Sequence, residues 1–166
     1  EFQTANPDVT VNYDPVGSGG GREQFLAGGV AFAGSDAYLD DEELAAAKTT
    51  CKGDIVEIPT YVSPIAVIYN LEGVDKLNLS PKTIGSIFEG KITKWNDPAI
   101  VALNGGVTLP DSKITVVHRS DGSGTTFNFV NYLSKVSTEW KSSVGEGTSV
   151  QWPAGLGGKG NEGVAA

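Results

Sequence analysis

The chain has two arginines, Arg22 and Arg119, and each borders a glycine-rich segment that runs into a helical pattern: Gly17-Ser-Gly-Gly-Gly-Arg22 and Arg119-Ser-Asp-Gly-Ser-Gly-Thr-Thr126. Glycine lets successive backbone N–H groups converge on one point. A helix start adds roughly half a positive charge there, and hydroxyls and a guanidinium add directional donors. Each segment follows a β-like run, Val9–Tyr13 in the first case and Ile114–Val117 in the second, so the order strand, loop, helix occurs twice. Such alternation indicates an α/β fold, and the two helix starts point to a site for a small oxyanion.

Charge limits the partners. A net charge of −8, from 20 acidic and 12 basic residues, argues against a nucleic-acid footprint, which needs clustered Lys and Arg. The same acidity repels small anions at long range, so an anion site has to act through short hydrogen bonds and aligned dipoles. One His, one Cys and no carboxylates at ligand spacing give no metal site, and no cofactor is expected. No apolar run approaches the ~20 residues of a membrane span. The chain contains no Met, and both ends read as helical, so the expectation is a piece of a longer protein whose signal peptide would lie outside it. The lone Cys51 either pairs outside this segment or is a free thiol in a loop.

Further along, Val30–Ala33 is a second apolar run, closed by Gly34-Ser-Asp-Ala37. Asp40 and Glu43 fit a capping box ahead of a third element. Residues 55–70, rich in Val, Ile and Tyr but interrupted by Pro59 and Pro64, predict two extended pieces crossing between lobes. Ser80-Pro81 and Asp97-Pro98 each give a cap followed by proline at a helix start. A helix carrying Phe127, Val130 and Leu133 follows the second glycine segment. The tail from Gly145 to Gly163 is too glycine-rich for regular structure and reads as a functional loop or a connector.

The second glycine segment carries the strongest chemistry. Ser123, Gly124 and Thr125 fall in the first helical turn, where N–H groups lack intrahelical partners, so two hydroxyls and several amides can surround one tetrahedral oxyanion. Arg119 can offer a bidentate fork to the same ligand, and Asp121, two residues on, can orient that guanidinium. The plainer reading is an N-cap, Asp121 or Ser123, beside a surface arginine. Ser18 follows the same logic in the first segment, where a flexible turn is the alternative. Asp36, after the run Val30–Ala33 that reads as a buried strand, is a turn former or a specificity device. An ionised carboxylate only accepts hydrogen bonds, so it would favour an anion that still carries a proton.

Other motifs fail. Gly155-Leu-Gly-Gly-Lys-Gly160 has dinucleotide-fingerprint spacing but follows Pro153 and no clear strand, and Lys159 precedes Gly rather than the Ser or Thr of a phosphate-binding loop. Ser123 lacks a nucleophile elbow, because Asp121 stands where its first glycine belongs. His118, the one imidazole, should face away from Arg119 on a strand and serve as packing.

Five stretches in order, Val16–Gly21, Phe32–Ala37, Ile92–Asp97, Arg119–Phe127 and Trp152–Asn161, closely resemble the phosphate-binding proteins of bacterial ABC phosphate importers, a family of periplasmic-type solute-binding proteins. The resemblance implies a type II two-lobe α/β fold, incomplete at both ends, with residues 1–58 in lobe I and 59–166 in lobe II. It implies phosphate held between the lobes by Ser18, Asp36, Arg119, Ser123, Gly124 and Thr125, with Asp121 orienting Arg119 and Asp36 excluding sulfate. Arg22 matches no ligand position and is expected as an ordinary exposed helix residue. Delivery to a membrane permease follows, from the periplasm or from a Gram-positive cell-surface lipoprotein, without catalysis. The members are longer, so a complementary segment of the parent protein is an expected partner. An enzyme acting on phosphate esters and a non-binding structural surface domain are the alternatives.

Overall fold

A helix can be started and capped by its own sequence, whereas a strand needs a neighbour. This difference organises the computed structural model, which describes residues 1–166. The elements in order are α1 (Phe2–Ala5), α2 (Gly17–Leu26), α3 (Asp41–Cys51), α4 (Pro81–Phe88), α5 (Pro98–Val101), β1 (Val117–Arg119), α6 (Gly124–Val136), α7 (Thr138–Ser143), β2 (Leu156–Gly158) and α8 (Gly160–Ala165). The expected caps are in place. Asp40 and Glu43 form a reciprocal capping box on α3. Ser80 accepts from Thr83 N ahead of α4, and Asp97 accepts from Ala99 N ahead of α5.

Several expected strands are absent. Val9–Tyr13, Val30–Ala33 and residues 55–70 carry no ladder, and their apolar side chains face solvent: Tyr13 is 78% exposed, Phe32 65% and Val62 97%. β propensity expresses how a side chain fits a pleated, half-buried surface, and no strand lies beside these runs to complete one. The run Ile114–Val117 becomes strand only at its end, in β1, while Lys113 makes an isolated antiparallel bridge with Lys94. The segment Gly17–Gly21 is helix rather than loop, entered through a left-handed Gly17 at φ 74°.

The glycine-rich tail, by contrast, is partly regular. β2 pairs parallel with β1 in the register Val117↔Leu156, His118↔Gly157 and Arg119↔Gly158. With α6 between them the two strands make a βαβ unit, the α/β element of the chain. Two apolar clusters support it. Val74, Ile87, Ile92, Ile100 and Leu109 form the first; Val130, Leu133 and Trp140 form the second; Phe88 packs against both. Ser18, Ala37 and Ala47 are the only buried residues before residue 71, out of 19 in the chain. The α2–α3 region therefore has almost no core of its own. It is held to the α6 region by backbone approach, polar contact and the edge-on Tyr38–Phe127 ring pair.

Candidate functional site

The two glycine-rich segments meet each other. Gly19 N donates to Gly122 O at 3.0 Å, and a Cβ on Gly19 would stand 2.8 Å from Gly122 Cα. A Cβ on Gly17 would stand 3.1 Å from the Arg119 guanidinium and 3.2 Å from Asp121 Oδ2. The glycines thus first serve close approach of two backbones, and that approach aligns the start of α2 with the start of α6. Ser18 Oγ accepts from Asp36 N at 3.1 Å, and a Cβ on Gly124 would lie 2.5 Å from both Ser18 Oγ and Asp36 Cβ. Ser18, Asp36 and Gly124, from three separate stretches of chain, share one spot.

Arg119 stands beside it at the end of β1. Its Nε donates to Asp121 Oδ1 at 2.7 Å and its NH2 to Asp121 Oδ2 at 2.5 Å, a two-point pairing of guanidinium and carboxylate. NH1 donates to Asn161 Oδ1 at 3.1 Å, and Gly160 N donates to Asp121 Oδ1 at 3.1 Å. A guanidinium has five N–H donors, so one remains on each terminal nitrogen. The Arg119 bonds hold the Asp121 carboxyl well below the usual carboxylate range, with the Gly160 amide adding to the effect. In return Asp121 raises the Arg119 pKa, and the carboxylates of Glu162 and Asp36 add to the shift. The site has one cation among three acids. Any attraction for an anion here would therefore have to come from N–H groups, hydroxyls and the helix start, as the acidic composition requires.

Ser123 sits 1% exposed as the N-cap of α6, its Oγ accepting from Thr126 N at 3.2 Å and its N–H donating to Thr148 O at 2.8 Å. The capping reading is therefore realised, and the hydroxyl proton stays available as a donor. Gly124 is buried and Thr125 half-buried at the first two positions of the helix, where N–H groups have no intrahelical acceptor.

Arg22 corrects an expectation. It is neither exposed nor at this site. Its side chain is 11% exposed and pairs with Glu43 of α3, fastening α2 to α3. His118 lies as expected for packing: its ring stacks on Trp152 at 4.6 Å, with Nδ1 2.9 Å from Arg119 O. The segment Gly155–Gly160 does contain a strand, β2, contrary to the expectation. A Cβ on Gly158 would stand 2.1 Å from Gly163 O, so this glycine serves close packing of β2 on the backbone of α8. Sequence reasoning missed Asn161 and Asn128. The latter donates through Nδ2 to Asp36 O at 2.7 Å and to Gly124 O at 2.9 Å. Neither has a local signal for these roles, because Asn161 meets Arg119 across 42 residues and Asn128 meets Asp36 across 92. Cys51 is exposed at the end of α3.

A family model described as a PBP superfamily domain matches residues 1–165. The chain is 53% identical over 158 residues to the phosphate-binding protein PstS of Xylella fastidiosa, covering 94% of this chain and 42% of the relative. It is 51% identical to the PstS of Pasteurella multocida, covering 100% of this chain and 46% of that protein. It is 46% identical to the phosphate-binding protein PstS 3 of Mycobacterium tuberculosis, with 99% and 44% covered. The chain spans less than half the length of these relatives. It belongs to the PBP superfamily and has that superfamily's periplasmic-binding-protein-like α/β fold.

Proposed function

We propose that this superfamily member supplies the anion-reading part of a phosphate-binding protein, which takes up inorganic phosphate and delivers it to the permease of an ABC importer on the extracytoplasmic side of the membrane. The observation that carries the reading is the meeting of Ser18, Asp36 and Gly124 beside the Asp121-held Arg119. Donors come from Ser18, Arg119, Ser123, Gly124 and Thr125. Asp36 accepts the proton of hydrogen phosphate, and fully ionised sulfate would face its carboxylate with no proton to offer. Residues 1–58 and 59–166 serve as parts of two lobes, and the ligand favours their closed state only through contacts made to both. No covalent chemistry is assigned. His118, the one imidazole, is stacked on Trp152 and faces a carbonyl, which speaks against the phosphate-ester enzyme reading. The protein works in the periplasm or as a surface-tethered lipoprotein.

The apolar runs at 30–33 and 55–70 are where a complementary segment would pair, of the kind the relatives carry beyond the matched region. The test is calorimetric titration with phosphate and then sulfate, after carried-over phosphate has been removed by partial unfolding and dialysis. Saturable phosphate heat with none from sulfate is expected, and supplying the flanking segments of the parent protein should tighten binding. A folded sample that takes up neither anion, with or without those segments, overturns the assignment. Equal uptake of both anions removes Asp36 from its role.

A further inference from the structure

Asp36 lies in a segment without regular structure, yet both of its peptide groups are held. Its N–H donates to Ser18 Oγ on α2 at 3.1 Å, and its C=O accepts from Asn128 Nδ2 on α6 at 2.7 Å. The same Asn128 amide also donates to Gly124 O at 2.9 Å, one turn earlier on α6. An amide NH₂ has two protons, and here each goes to a different carbonyl. Asn128 is four residues beyond Gly124, so its side chain leans back over the first helical turn, where the Asp36 segment crosses. Next to it, Tyr38 meets Phe127 edge-on at 5.2 Å between ring centres, a second contact between the same two segments.

We propose that Asn128 is a positioning residue that ties the Asp36 segment to the first turn of α6, fixing the spacing between the Asp36 carboxylate and the α6 N–H groups and thereby slowing anion release. The anion part rests on the phosphate reading above. The tie itself does not. Asn128 is not one of the anion donors assigned above; its amide is spent on the Asp36 and Gly124 carbonyls, so its effect passes through the Asp36 backbone. An Asp at this position would only accept, and would set a carboxylate against two carbonyl oxygens.

The test compares Asn128→Ala and Asn128→Asp with Asn131→Ala, a control on the same helix whose amide donates to Glu146 instead. The first readout is hydrogen exchange at the Asp36 and Ala37 amides without phosphate; the second is the phosphate dissociation rate. Asn128→Ala should speed exchange at those amides by about tenfold, as loss of one hydrogen bond would, and raise the dissociation rate by a similar factor with little change in the association rate. Asn128→Asp should exceed it in both readouts, and Asn131→Ala should match wild type. Exchange in the Asn128 variants equal to that of Asn131→Ala overturns the tie. Faster exchange with an unchanged dissociation rate overturns its role in release. A wild type that takes up no phosphate, while exchange responds as expected, sinks the phosphate reading and supports the tie.

Discussion

Arg22 and Arg119 have similar local surroundings in the sequence, a glycine-rich segment and a helix start, yet they end in different roles. Arg22 lies inside α2 and closes on Glu43, 21 residues away, which ties two helices together. Arg119 ends a strand, is gripped by Asp121 two residues on, and keeps a donor on each terminal nitrogen beside Ser18, Asp36 and Gly124. The lesson concerns where the acid stands. A carboxylate that reaches a guanidinium from a second helix uses it as a fastener. One that grips the Nε side from the same loop leaves donors on the terminal nitrogens.

The largest effect should come from removing the space on which Arg119's surroundings depend. Gly124→Ala places a Cβ 2.5 Å from Ser18 Oγ and Asp36 Cβ. Overpacking of about 1–3 kcal/mol falls on the contact that assembles the site, so phosphate affinity should drop by about 100-fold in calorimetry. Wild-type affinity in this variant would mean that Asp36 and α6 need not meet.

The arginines themselves should separate cleanly. Arg119→Ala should weaken phosphate binding by about 10- to 100-fold, as expected for loss of a charge-assisted contact. Arg22→Ala should leave affinity within about twofold and instead lower Tm by several degrees, through a loss of about 1–2 kcal/mol in the α2–α3 attachment. Equal losses of affinity in the two variants would erase the distinction drawn here. A smaller effect is expected of Asp36→Asn, which adds a donor where only an acceptor stood. Preference for phosphate over sulfate in competition titrations should shrink by about tenfold, with phosphate binding itself less affected.

The smallest effect is on pH. The folded-state pKa of Asp121 is depressed by Arg119, so its contribution to stability is complete above the unfolded carboxylate value and is lost only as pH falls towards the folded one. The difference in Tm between wild type and Asp121→Asn should therefore stay constant from neutral pH down to about pH 4 and shrink below it. A difference that shrinks near neutral pH would place the titration elsewhere.

Legibility followed distance along the chain. The caps at Asp40, Ser80 and Asp97 were readable because each partner lies two or three residues away. The Arg119–Asp121 pair was readable for the same reason. The runs at 9–13, 30–33 and 55–70 read as strands and are not, because strand formation depends on a neighbour that sequence does not name. The tail read as irregular and holds β2 and α8, because glycines at 158 and 163 permit a backbone approach that no propensity scale records.

By itself the sequence determined the starts of α3, α4, α5 and α6, the glycines that let residues 17–21 and 119–126 approach, and the local grip of Asp121 on Arg119. Backbone geometry fixes such contacts within a turn or two. Only the tertiary structure decided that Arg22 belongs to Glu43, that Asn161 steadies Arg119 across 42 residues, and that Asn128 reaches Asp36 across 92. Those bonds depend on which surfaces meet, and surfaces meet only when the α6 core and the glycine-to-glycine contact have brought them together.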